Sequence, residues 1–189
     1  MRTADRPSAR DRILDVADRL FYERGIHAVG VDAIVAEADT AKTTLYSHFR
    51  SKDELVAAYL RRRCERWREH LDTELEAHGG PASERILLMY ELLGQWFAEP
   101  GYRGCPFINA MAEFHGDHPA AIVTRVHRQG LLENLARLSA EAGAPHPESL
   151  AAQLLLLYDA AMVAAYLDGD PGAAQTAKAA AAALLGASR

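Results

Sequence analysis

Residues 31–52, VDAIVAEADTAKTTLYSHFRSK, restrict this chain to a narrow set of folds. Val31, Ile34, Val35 and Ala38 recur at helical spacing and fall on one face of a short helix. Leu45 and Phe49, one helical turn apart, share a face of a second. Two short amphipathic helices joined by a turn of about four residues make a helix-turn-helix. In that unit the second helix enters the major groove of DNA and the first crosses the backbone. The second helix carries Lys42, Thr43, Thr44, Tyr46, Ser47 and His48. Lys42 suits a guanine edge or a phosphate, and Thr44 a base hydrogen bond or a thymine methyl. Tyr46, His48 and Lys52, which follows at the next helix start, suit phosphate oxygens. A purely solvated helix would carry more Glu and fewer Thr, Tyr and His.

The flanking residues carry a family pattern. LFYERG (Leu20 to Gly25) closes a first helix, VDAI (Val31 to Ile34) opens the next, and TTLYSHFRSKDEL runs from Thr43 to Leu55. Residues 10–63 resemble the DNA-binding domain of tetracycline-repressor-type (TetR family) regulators. The resemblance implies DNA contacts along the second helix of the motif, with Leu45 and Phe49 pinning that helix to the first. It also implies a C-terminal ligand domain, a pocket among helices 4 to 8, and a dimer formed through helices 8 and 9. Two positions depart from the pattern. Gly30 stands where the family commonly has Ser or Thr to cap the second helix, and Asp39 stands in the turn where it usually has glycine. Gly still caps, without a hydroxyl, and Asp tolerates the left-handed conformation but adds negative charge near the DNA.

Composition agrees with an all-α chain. Alanine and leucine dominate, β-branched runs are scarce, and glycine and proline gather between periodic segments. About nine helices are expected: three in a helix-turn-helix domain over residues 1–50, the rest in a ligand-binding and dimerisation bundle over 51–189. Residues 1–7 read as an arm, Ser8 as an N-cap, Gly25 as a helix stop, Ser51 with Glu54 as a capping box, and Pro106 as a first-turn proline. No apolar run is long and uninterrupted enough to cross a bilayer; Leu150 to Leu167 comes nearest, broken by Gln153 and Asp159. The charged N-terminus has no signal-peptide pattern. Cys64 and Cys105 form no CxxC pair, which fits a reducing cytoplasm and no structural metal. The net charge of −5 is unevenly placed: residues 1–63 hold 12 Lys and Arg against 10 Asp and Glu, and the remainder 9 against 16. The acidic excess therefore lies outside the expected DNA reader.

For a small apolar or amphipathic effector, the expected pocket residues are Trp96, Tyr102, Phe107, Asn109, Met111, Phe114, Tyr158 and Met162, with Gln95, Glu113 and His115 as further polar candidates. Each taken singly is better explained by core packing; the group is read as a pocket because the resemblance implies one. GCPFINAMAE (Gly104 to Glu113) resembles a segment at the start of the sixth helix in one branch of the family. Cys105, just before a helix start, suits either a buried apolar role or thiol-based redox sensing. His115, Asp117 and His118 lack a further metal ligand. Leu150, Leu154, Leu157, Ala161 and Ala164 on helix 8, with Ala179, Ala183 and Gly186 on helix 9, read as packing faces for the homodimer. No catalytic ordering, phosphate loop or cofactor motif is present, so a regulator rather than an enzyme is expected. The competing reading is a helical interaction protein with a decayed DNA-binding head. The expected mechanism is an effector that enters the C-terminal domain, shifts the fourth helix, and so changes the separation of the two recognition helices of a dimer.

Overall fold

A computed structural model describes residues 7–188; apart from Pro7, the expected N-terminal arm, with Arg2 and Arg6, lies outside them. The described residues form helices and connecting turns, with no strand: α1 (Ala9–Arg24), α2 (Val31–Glu37), α3 (Lys42–His48), α4 (Lys52–His78), α5 (Ala82–Phe97), α6 (Pro106–Glu113), α7 (Pro119–Glu141), α8 (Pro147–Leu167) and α9 (Ala173–Ala187). Local chemistry sets many of the boundaries. Ser8 caps α1 by accepting from the Asp11 amide at 3.1 Å. Gly25 stops α1 at φ 88°. Ser51 Oγ accepts from the Glu54 amide at 3.1 Å, while Glu54 reaches back past Ser51 to the Arg50 amide at 2.8 Å, a capping box displaced by one residue.

The chain divides into two compact units, one holding the residues up to Arg63 together with 106–124, the other 64–105 together with 125–189. The boundary expected at residue 50 falls inside the first unit, because the first turns of α4 belong to the head. Leu55, Val56 and Leu60 are fully buried. Arg62 donates to Asp15 at 2.6 Å, to Asp18 at 2.9 Å and to the Leu14 carbonyl at 2.8 Å. Arg63 donates to the other oxygen of Asp18 at 2.7 Å and stacks its guanidinium 4.1 Å from the Tyr22 ring centre. Asp18 is buried, and a buried carboxylate is tolerated only when paired in this way. Arg62 and Arg63 thus lock α4 to α1.

Within the head, α1, α2 and α3 pack pairwise around Ile13, Leu14, Ala17, Leu20, Phe21, Ile34 and Leu45, all at most 4 % exposed. In the second unit α5, α8 and α9 pack pairwise. The alanines of α9 serve close approach: an added Cβ at Gly94 on α5 would lie 3.4 Å from the Ala174 methyl. Tyr90 donates to the Leu154 carbonyl at 2.7 Å; burial raises its pKa, so the phenol remains a donor.

α8 is long and apolar enough, by length and composition, to cross a bilayer, with mean hydropathy 1.7. Its Leu150, Leu154, Tyr158, Ala161 and Met162 are nonetheless buried in the bundle. This corrects the expected packing stripe. Leu150, Leu154 and Ala161 face the chain's own core, and the large apolar residues that α8 exposes are Leu156, Val163, Tyr166 and Leu167.

Candidate functional site

α3 is anchored by Leu45 and by Phe49, which caps its C-terminus; both are at most 1 % exposed. The Arg10 guanidinium closes over the Phe49 ring at 5.3 Å. Because these two turn inward, Lys42, Thr43, Tyr46, Ser47 and His48 face outward, with Thr44 half-buried beside them. Tyr46 is 44 % exposed, high for an aromatic residue with no partner surface in one chain. Asp39 takes φ 48° in the turn before α3, the left-handed conformation that the turn requires. Lys42 Nζ sits 2.8 Å from Asp32 Oδ1, and this pairing raises the Lys42 pKa. Both partners are exposed, so the pair is weak and a phosphate can replace the carboxylate. Ser47 donates back to the Thr44 carbonyl at 2.7 Å.

Lys52, expected at a phosphate, is engaged within the head in this structure. Its ammonium donates to the Ile26 carbonyl at 2.7 Å and lies 5.9 Å from the Phe21 ring centre. It fastens the loop between α1 and α2. A second fastening was not foreseen: Glu113, at the end of α6, accepts from the Ile26 amide at 3.1 Å and the His27 amide at 2.8 Å, and its Oε2 lies 2.6 Å from His27 Nδ1. Nothing in local sequence marks a contact between residues 87 positions apart.

The expected pocket residues divide between the two units. Phe107, Asn109, Met111 and Phe114 belong to the first. Phe107 is buried, Met111 is exposed, and Phe114 stacks with His27 at 4.9 Å and with His118 at 4.0 Å. His118 Nδ1 accepts from the Ala120 amide at 3.2 Å, which leaves the proton on Nε2, 3.5 Å from Asp53 Oδ1. Both nitrogens are therefore engaged, and no group of three or more metal-ligating residues occurs among the described residues.

Trp96, Tyr102, Tyr158 and Met162 belong to the second unit. Trp96 packs on Trp67 at 5.6 Å and edge-on to Tyr102 at 5.2 Å, and Tyr102 donates to the Met162 carbonyl at 3.0 Å. Tyr158 is buried with no acceptor for its hydroxyl. Burial, then Cys105, pushes its pKa up against the pull of the Trp67 indole. Cys105 is itself buried, as a small apolar residue would be.

Also in this unit, a cavity of about 640 Å³ lies between α4 and α7, lined by Cys64, Trp67 and Leu71 on one side and His127, Leu131 and Asn134 on the other. None of the eight expected residues lines it; Trp96 reaches it only through Trp67. Burial lowers the His127 pKa to about 4, so the imidazole is neutral at pH 7, and burial pushes the Cys64 thiol up. The lining joins an apolar floor of Trp67, Leu71 and Leu131 to the charged side chains Arg68, Asp72, Arg125 and Glu133, a make-up suited to an amphipathic molecule.

Residues 13–59 match the family model of bacterial regulatory proteins of the tetR family. A TetR-family transcriptional regulator from Streptomyces coelicolor has the same fold, with TM-score 0.89 and 34 % identity over 95 % of each chain. An uncharacterized HTH-type transcriptional regulator of Mycobacterium tuberculosis is 36 % identical over 80 residues, 42 % of this chain and 39 % of that protein. The HTH-type transcriptional repressor NemR of Escherichia coli is 28 % identical over 105 residues, 55 % of this chain and 53 % of that protein. The matched sequence thus spans about two fifths to one half of these curated relatives.

Proposed function

Because the chain belongs to the TetR family of transcriptional regulators, we propose that it is a cytoplasmic homodimer that binds a pseudo-palindromic operator as a repressor and leaves it when a small apolar or amphipathic effector binds. The family consists of regulators, not enzymes. The observation that carries the reading is α3: its apolar residues are spent on the head's core, so its amine, hydroxyl and imidazole groups are presented together on the outside. That arrangement suits a helix laid in a major groove, with Lys42 and Thr44 at base edges and Tyr46, Ser47 and His48 at phosphates.

The cavity between α4 and α7 supports the effector part of the reading. At about 640 Å³ it falls within the range of small-molecule sites. α4 and α7 each contribute residues to both compact units, so a ligand wedged between them acts on helices that the DNA-reading unit shares. Ligand and operator then lower each other's affinity by the same factor.

The test is selection of DNA fragments from a random pool by the purified protein, followed by titration of the selected site at several salt concentrations. A two-fold site whose affinity falls steeply with salt is the expected result. Lys42→Ala and Tyr46→Phe should each weaken binding to that site while the protein stays folded. A folded dimer that enriches no sequence would sink the reading.

A further inference from the structure

α6 ends in a carboxylate. Glu113 is its last residue, and a carboxylate there sits at the negative end of the helix dipole, with no basic residue in the last turn to offset it. The placement does not serve α6. It serves the loop between α1 and α2: the carboxylate takes the Ile26 amide, the His27 amide and the His27 ring nitrogen at 3.1, 2.8 and 2.6 Å. These are charge-assisted bonds, stronger than neutral ones. Glu113 also lies beneath Gly25, whose added Cβ would come 3.9 Å from Oε1. The same Ile26 peptide is held at its carbonyl by Lys52 of α4. The Ile26–His27 peptide is therefore clamped from both sides, its N–H by Glu113 and its carbonyl by Lys52, groups outside the helix-turn-helix, shortly before α2 begins. The stack from His27 to Phe114 to His118, and the contact from His118 to Asp53, continue the tie into the first turns of α7 and α4.

The geometry points to Glu113 as a positioning residue that latches the DNA-reading head to α6, holding α2 and α3 in their operator-binding orientation. The proposal rests on the DNA-binding reading and adds that the head is oriented by a carboxylate on α6. Lys52 alone grips only the carbonyl side, so loss of Glu113 leaves the loop attached but free to turn.

The experiment compares the full-length wild-type protein with Glu113→Ala and Glu113→Gln. Affinities are measured for the operator selected by the wild type and for a scrambled duplex at the same salt, with amide hydrogen exchange and thermal unfolding alongside. Removal of a negative charge should by itself leave DNA affinity unchanged or raise it. The latch predicts the opposite for the operator. Glu113→Ala should lose roughly tenfold or more in operator affinity, within the usual range for coupling between sites. Its scrambled-duplex affinity should not fall, the fraction folded should be unchanged, and protection at the Ile26 and His27 amides should be lost. Glu113→Gln, which keeps an acceptor oxygen but not the charge, should fall between. An unchanged ratio of operator to scrambled affinity in Glu113→Ala would overturn the latch, as would a fall in both affinities in step with unfolding. If the wild type selects no operator, the DNA-binding reading fails by itself. The latch is then decided by exchange: selective loss of protection from Ile26 through α3 supports it, and equal protection in both proteins overturns it.

Discussion

At the scale of single residues, the most informative side chains are those with unusual surroundings. Asp39 occupies a left-handed turn position that glycine fills without strain, at φ 48°. Asp39→Ala should lose about 1 kcal/mol of stability, because alanine pays the left-handed penalty without the local hydrogen bonding open to Asp. Asp39→Gly should stay within about 0.5 kcal/mol of the wild type, since the relief of strain is offset by greater freedom in the unfolded chain. Urea unfolding of the two variants checks this, and equal stability of both would sink the argument. His127 gives a pH signature. Its pKa is lowered by burial to about 4 in the folded protein, from the usual 6.5, so between these values the unfolded chain binds the extra proton. The contribution of its neutral form is complete above pH 6.5 and is lost as pH falls toward 4, by an amount on the order of a few kcal/mol. Replacement of His127 by Gln should flatten that part of the stability curve. Parallel curves for the two proteins would show that the proton binds elsewhere.

At the scale of elements, glycines in similar-looking sequence do opposite things. Gly130 lies inside α7, where an added Cβ meets nothing within 4 Å. Gly104 lies at φ 78°, and its Cβ would come 3.2 Å from the Tyr166 ring. Gly130→Ala should therefore raise stability by about 0.5–1 kcal/mol through helix propensity. Gly104→Ala should lower it by roughly 2 kcal/mol through strain and overlap. Thermal unfolding that moved both variants in one direction would refute the contrast. Gly130 also lines the cavity between α4 and α7. The helix ends at Ser8, Gly25, Ser51 and Pro106 were legible in the sequence because capping is short-range chemistry, written within a few residues of each boundary. The outward groups of α3 were legible for a similar reason, since Leu45 and Phe49 fix which way that short helix faces. The Glu113 clamp, the roles of Lys52 and Arg62, and the α4–α7 cavity were not. Each joins segments far apart in the chain, and a surface charge and a bonded one look alike when only neighbours are known.

At the scale of the whole molecule, α8 shows why periodicity failed and what the second face is for. The helix is apolar on most sides, so the spacing of its leucines cannot say which stripe is inside. Leu150, Leu154 and Ala161 went to the core, leaving Leu156, Val163 and Leu167 at 63, 39 and 73 % exposure, with Ala160 exposed between them. On α9, which packs against α8, Ala179, Ala183 and Gly186 are exposed at the same helical spacing. A monomer would leave this apolar stripe and its small-residue neighbour in water, which soluble chains rarely do. A second copy related by a two-fold axis would cover both, the small residues of α9 allowing close approach. Such pairing also gives DNA reading its reach, since one α3 spans too few base pairs for a specific site. Each substitution in a two-fold interface acts twice. With about 1.5–3 kcal/mol per buried leucine, Leu156→Glu should raise the dimer dissociation constant at least about a hundredfold. Val163→Glu should act in the same direction. Sedimentation should show wild-type dimers and variant monomers at micromolar concentration, with each monomer's helix content unchanged because these side chains lie outside its own core. Operator affinity should fall with dimer content and recover as protein concentration rises. A variant that remained dimeric would place the interface elsewhere, and a wild type that was already monomeric would remove the two-fold operator from the reading.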